Sequence, residues 1–96
     1  MERQMRRSME DYIKVGISDL NIQKLHNVIK VLGPFVRSKE DALFGYIIGS
    51  TRTFMIGYTD KFYNRMPSQA EHDELWKMLL ERREEIVSKI TREFGR

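Results

Sequence analysis

The sequence predicts an all-α fold, an antiparallel four-helix subunit whose two long C-terminal helices join two copies into an intertwined or side-by-side homodimer. Three observations lead to this prediction. Apolar residues recur three and four positions apart through most of the 96 residues, which is typical of helices that bury one face. Residues that cap helix starts precede the periodic segments, and prolines at positions 34 and 67 separate them. The chain is long enough for one domain, residues 1–96, with a core of its own.

Residues 1–15 are predicted to form an amphipathic helix. Tyr12 lies beside its apolar row, whereas Arg3, Arg6 and Arg7 turn elsewhere. Because methionine fills irregular gaps between helices, docking on a core is the simpler interpretation, and a phosphate- or partner-binding arm is the alternative. The apolar row consists of Met1, Met5, Met9 and Ile13.

A second helix is predicted over residues 19–32. Ser18 and Asp19 suit its start, and Gly33-Pro34 suits its end. Its predicted apolar stripe consists of Leu20, Leu25, Val28, Ile29 and Leu32.

The third predicted helix, residues 39–66, organises the rest of the chain. Gly45, Gly49, Thr53 and Gly57 occur at every fourth position, and residues four apart stack on one face of a helix. These small side chains would line a shallow groove between bulkier rows. Each interior glycine costs about 1 kcal/mol relative to alanine, so the pattern predicts that a second helix packs closely in the groove and returns this energy.

A β-hairpin over residues 43–58 is the alternative, because the β-branched and aromatic residues of this segment also favour strands. Gly49-Ser50 would be its two-residue turn. The helix is favoured because Ser38 and Asp41 resemble a capping box with aspartate in place of glutamate.

The last predicted helix covers residues 69–94. Pro67 precedes it, and Ser68 and Glu71 form a capping box. Opposite charges four residues apart on its outward side add a few tenths of a kcal/mol per pair. The apolar row consists of Leu75, Leu79, Ile86, Ile90 and Phe94, widened by Trp76, Leu80 and Val87.

The lengths of the last two helices predict the homodimer. A helix of about 26 residues is roughly 39 Å long, whereas a compact domain of this size is only about 30 Å across. Two such helices would overhang and expose their apolar stripes in a monomer. A two-fold contact with a second copy would cover them.

Composition restricts the classes of function. The chain contains no cysteine, which excludes disulfides, thiolate zinc sites and cysteine nucleophiles and is compatible with the cytoplasm. The longest uncharged run, residues 42–51, is shorter than the 20 or so residues of a membrane span, so no membrane segment is expected.

The charge is mixed along the chain. The formal net charge is +3, and residues 1–48 carry eight Lys/Arg and six Asp/Glu against nine and eight in residues 49–96. Neither half is a basic arm. Because the net charge is still positive, nucleic-acid binding is an alternative function and not the favoured one. Its phosphate-binding set would be Arg3, Arg6, Arg7, Lys24 and Lys30.

Arg52 is the one charged residue between Ala42 and Tyr58 and is the first candidate ligand-binding residue. A guanidinium binds phosphate or carboxylate through two hydrogen bonds. Thr51 would add a hydroxyl, and Tyr46 and Tyr58 would wall the pocket. The competing interpretation is an arginine that pairs with a carboxylate across an interface or reaches solvent.

A dense acidic cluster, Glu71, His72, Asp73 and Glu74, lies in the first turn of the last predicted helix. Acidic residues are expected there for capping and for the helix dipole, and His72 has no His or Glu three or four positions before it. No metal site, cofactor site or catalytic residue is predicted. The sequence therefore favours a protein without enzymatic activity. The expected function is a cytoplasmic protein-interaction or scaffold module that acts as a homodimer.

Overall fold

A computed structural model describes residues 1–33 and 37–94, with the side chains of Leu32 and Phe94 outside the description. The described residues form an all-helical structure without strands. The molecule is elongated, with extents of 41 × 23 × 20 Å and a Cα radius of gyration of 14.3 Å, against about 12.5 Å for a compact domain of this length. The five helices are α1 (Arg3–Gly16), α2 (Asp19–Leu32), α3 (Lys39–Tyr63), α4 (Gln69–Glu81) and α5 (Arg83–Phe94).

Side-chain caps explain where the helices begin. The hydroxyls of Ser18, Ser38 and Ser68 each accept a hydrogen bond from a backbone N–H three residues further on. At Ser68 the capping box is complete, because the Glu71 carboxylate also accepts the Ser68 N–H at 2.8 Å. Glu2 caps α1 with its carboxylate, which suits the positive end of a helix.

The helix predicted over residues 69–94 is divided at Arg82, so the described residues form five helices where four were expected. Arg82 donates its N–H to Leu79 O, three residues back, which tightens the end of α4 before α5 begins. In an uninterrupted helix, positions 82 and 83 would lie on the apolar side between Leu79 and Ile86. Both positions are arginine, so an uninterrupted helix would bring two charges toward the core. In the structure Arg82 is partly exposed and Arg83 is exposed, while Ile86 and Ile90 are fully buried.

α3 runs the length of the molecule, since 25 residues extend about 37 Å. The helix excludes the hairpin alternative for residues 43–58. It ends at Tyr63, three residues earlier than predicted, because Asn64 takes a left-handed conformation with φ 53°. Its buried row consists of Leu43, Ile47, Thr51, Met55 and Thr59.

The other helices cover one side of α3. The start of α1 meets the end of α3, and the aromatic rings of Tyr12 and Phe54 stack nearer the middle. α4 follows α3 in the chain and folds back along it, so that Trp76 and Leu79 of α4 lie near Phe44 and Ile48 in the first half of α3. α2 and α5 pack on each other and on α3. The buried apolar core comprises Met5, Met9, Ile13, Ile17, Ile22, Leu43, Ile47, Met55, Leu75, Met78, Leu79, Ile86 and Ile90.

The apolar stripe predicted for α2 is partly wrong. Leu20 and Val28 are 63% and 55% exposed, whereas Ile22 and His26 are buried. α2 packs on α5 with the face that carries Ile22 and His26. This face is rotated around the helix from the predicted one, which was chosen by its large apolar residues. Burial lowers the pKa of His26 below its usual value.

Candidate interaction surface on the third helix

The four small residues of α3, Gly45, Gly49, Thr53 and Gly57, are called the glycine row. All four are exposed and lie on the side of α3 away from its buried row. A methyl group added to any of the three glycines would meet no described atom within 4 Å. Within the described chain, therefore, no helix packs in the groove where one was predicted.

Three residues of the glycine row line two open cavities between α3 and α1, which together are called the α1–α3 groove. A cavity of about 780 Å³ at the end of α3 includes Gly57, and a second of about 560 Å³ nearer the middle includes Gly49 and Thr53. Phe54 lines both cavities, so they lie next to each other along α3. Apolar grooves of this kind bind amphipathic helices.

The walls of the groove are aromatic on the α3 side. Phe54 stacks on Tyr12 with ring centroids 4.3 Å apart, and Tyr58 contacts Phe62 at 4.6 Å. Tyr46 remains 55% exposed and Phe62 58% exposed. Exposed aromatic rings beside a flat floor are common at protein interfaces, where they become buried on binding. We call Tyr46, Phe54, Tyr58 and Phe62 the aromatic wall.

The α1 side of the groove was not predicted. Gln4, Ser8 and Tyr12 line it, and they are spaced by four on the outer face of α1. That spacing places them on one helix face. The spacing does not reveal that this face of α1 lies beside α3, because Tyr12 and Phe54, which join the two helices, are more than 40 positions apart in the chain.

A hydrogen bond closes one end of the groove. The Tyr63 hydroxyl donates to Glu2 Oε2 at 2.7 Å, while the same carboxylate accepts the N–H groups of Gln4 and Met5. The hydrogen bond from Tyr63 lowers the pKa of Glu2, and the bond to Glu2 raises the pKa of Tyr63 to about 12. These contacts fix the start of α1 against the end of α3.

A second polar contact fixes the turn between α3 and α4. Arg65 donates to both oxygens of Glu71, at 2.7 and 3.0 Å, and Glu71 also caps α4 through Ser68. The hydrogen bonds from Arg65 lower the pKa of Glu71 to about 2. Glu71 is buried although it is charged, and its partners offset the cost of removing it from water.

The structure does not bring the four predicted ligand-binding residues together. Thr51 is buried, and its hydroxyl donates to Ile47 O at 2.7 Å, so it faces the core. Arg52 is exposed and makes no hydrogen bond or ion pair with the described residues. Tyr46 lines the smaller cavity and Tyr58 the larger, whereas Arg52 lines neither.

Substitution of Arg52 by alanine is expected to change the free energy of unfolding of the single chain by less than about 0.5 kcal/mol, because an exposed side chain without partners is removed. Urea denaturation with and without inorganic phosphate measures this. Stabilisation by phosphate that disappears in Arg52→Ala would contradict the expectation and would indicate an anion site at this position.

The predicted phosphate-binding set is also dispersed. Arg6 donates to Glu74 at 2.8 Å and to Glu10 at 3.3 Å, so its charge is compensated. Arg3 and Arg7 are exposed on α1, and Lys24 and Lys30 are exposed on α2.

The acidic cluster at the start of α4 serves local contacts. Glu71 binds Arg65, and Glu74 binds Arg6 and the amino group of Met1. His72 Nδ1 lies 3.1 Å from Ser68 O. The two glutamates therefore hold the turn and the start of α1 in place.

A second exposed apolar depression, of about 300 Å³, lies between α3 and α4. Phe44, Ile48 and Trp76 line it, and Leu80 at its edge is 65% exposed. Leu80 was predicted to widen the buried stripe, but the structure leaves it exposed.

In the described ranges, no helix is both long enough and apolar enough to cross a bilayer. Comparisons of the chain with protein-family models, with curated proteins and with solved structures find no match.

Proposed function

We propose that this chain is a protein-interaction module that acts as a homodimer, with the α1–α3 groove as the contact surface. The observation that supports the proposal is the glycine row, which is exposed on the face of α3 opposite the core. Interior glycines weaken a helix by about 1 kcal/mol each. No contact within the described chain offsets that cost, whereas a partner helix packed on the row would do so.

A second copy is the partner that the surface fits best. Small side chains allow two helix backbones to approach closely when both helices carry them at the contact. In a two-fold dimer each copy supplies the same row, so the small residues of one α3 lie on those of the other. The exposed rings of the aromatic wall then pack on both sides of this contact and lose their exposure to water.

The mass of the protein in solution tests the proposal. Multi-angle light scattering at micromolar concentration is expected to give twice the 11.5 kDa of one chain. Thr53→Glu places a charge of the same sign on each copy at the centre of the contact, and it is expected to give the mass of one chain. Glutamate is a good helix former, so the variant is expected to retain its helical circular dichroism.

Thr91→Glu is the matched control. Thr91 is also exposed on a helix, but it lies on α5, away from the glycine row. This variant is expected to keep the dimeric mass. A monomeric mass for the unmodified chain, or equal masses for the two variants, would contradict the proposal.

A further inference from the structure

The charges at the two ends of the glycine row indicate how two copies are oriented. Continuing the four-residue spacing leads to Asp41 before Gly45 and to Lys61 after Gly57. The full row is therefore Asp41, Gly45, Gly49, Thr53, Gly57, Lys61. All six residues are exposed on α3.

Neither end charge forms an ion pair within the described part of the chain. The Lys61 ammonium lies over the Phe62 ring, 5.3 Å from its centre, and this contact leaves its positive charge uncompensated by a carboxylate. The larger groove cavity includes Lys61, so this charge borders the contact surface. Both charges are available to a second copy.

Two directions of pairing have opposite electrostatic consequences. In a parallel pair each residue meets its own copy, so Asp41 lies opposite Asp41 and Lys61 opposite Lys61, and like charges destabilise the contact. In an antiparallel pair with the rows superposed, Asp41 of each copy lies opposite Lys61 of the other. The dipoles of two antiparallel helices also attract each other, whereas those of parallel helices repel.

From this arrangement we infer that two copies pair through α3 in antiparallel orientation, with the two-fold axis between Gly49 and Thr53. Gly45 of one copy then lies opposite Gly57 of the other, and two Asp41–Lys61 ion pairs close the ends. Rows spaced by four on both helices interlock in the commonest class of helix packing. The inference rests on the proposed homodimer and adds its orientation and register.

Disulfide cross-linking tests the register, because the natural chain has no cysteine and each introduced thiol is unique. Gly45→Cys and Gly57→Cys are oxidised alone and as an equimolar mixture. The mixture is expected to give a covalent dimer that contains one chain of each variant. Each variant alone is expected to remain uncross-linked, because the two copies of position 45 are 12 residues apart along the axis, about 18 Å, beyond the reach of a disulfide. Thr91→Cys on α5 is the control for random collision.

Charge reversal provides a second measurement that does not depend on oxidation. Lys61→Glu places glutamate opposite Asp41 at both ends, and we expect the dissociation constant of the dimer to rise about tenfold. Adding Asp41→Lys restores opposite charges and is expected to return most of the affinity. Circular dichroism of each variant shows whether the chain is folded.

The possible outcomes separate the two proposals. If the mass is dimeric and each cysteine variant cross-links when oxidised alone, the two copies pair in parallel. If the mass is dimeric but the mixture gives no cross-link, the copies pair in another register or through another surface. Either result overturns the inference on orientation, and the mass of Thr53→Glu then decides the proposed homodimer. A monomeric mass without cross-links overturns both.

Discussion

Simultaneous replacement of Gly45, Gly49 and Gly57 by alanine is expected to raise the free energy of unfolding of the single chain by about 3 kcal/mol. The glycines have no positive φ angle, and each has open space where a methyl group would stand. Alanine therefore fits the helix without strain and restricts the unfolded chain. Each substitution contributes about 1 kcal/mol, and for a domain of this length the sum raises the melting temperature by roughly 15 °C.

The same substitution is expected to weaken the homodimer, because methyl groups on both copies hold the two α3 helices apart. Urea denaturation in the monomeric Thr53→Glu background measures the effect on the single chain, and light scattering of the variant without Thr53→Glu measures the effect on pairing. Ser88 is exposed on α5, and Ser88→Ala is the control. It is expected to change the free energy of unfolding by less than about 0.5 kcal/mol. A gain in both stability and affinity would show that the glycine row is not the contact surface.

Substitution of Glu71 by alanine is expected to lower the free energy of unfolding by about 2 kcal/mol. The change removes the carboxylate that binds the two terminal guanidinium nitrogens of Arg65 and that completes the capping box with Ser68. A lost cap costs about 1 kcal/mol, and hydrogen bonds to charged groups contribute about 1.5 to 3 kcal/mol, reduced here because Arg65 is exposed. The melting temperature is expected to fall by roughly 10 °C.

The effect of Glu71 is expected to depend on pH. Its pKa is lowered to about 2 in the folded chain from an ordinary value of 4.5. Above about pH 5 the carboxylate is ionised in both states, so its stabilising contribution is fully present. As the pH falls toward 2, the unfolded chain takes up a proton that the folded chain does not, and the contribution is lost.

Urea denaturation at neutral pH and near pH 3 measures this dependence, and the difference in stability between the natural chain and Glu71→Ala should narrow on acidification. Glu81→Ala, an exposed glutamate on the same helix, is the control. It is expected to have little effect at either pH. An equal loss for both substitutions would mean that the contacts of Glu71 do not stabilise the turn.

Much of the local structure was predicted from the chain. Ser18, Ser38 and Ser68 cap the helices that they precede, and Met5, Met9 and Ile13 are fully buried as their spacing predicts. These features depend on residues within one or two turns, so a local pattern is sufficient to reveal them. The homodimer and the function of the groove stay predictions that the experiments above address.

The failures have a common cause. Leu20 and Val28 were expected inside and lie outside, while a break at Arg82 divides one predicted helix into two. Both features depend on which helices meet, and apolar periodicity marks a face without identifying its neighbour. Arg52 and Thr51 were grouped because they are adjacent in the chain, but successive residues point in directions about 100° apart on a helix.

By itself, the sequence determined that this protein is helical, where most of its helices begin, and that small residues follow one line along the longest of them, because these properties arise from contacts between residues close in the chain. The tertiary structure alone decided that this line is the uncovered side of α3, with Tyr12 of α1 beside it. Burying one side of α3 under four other helices leaves the other side facing water, and that choice depends on the packing of the whole chain.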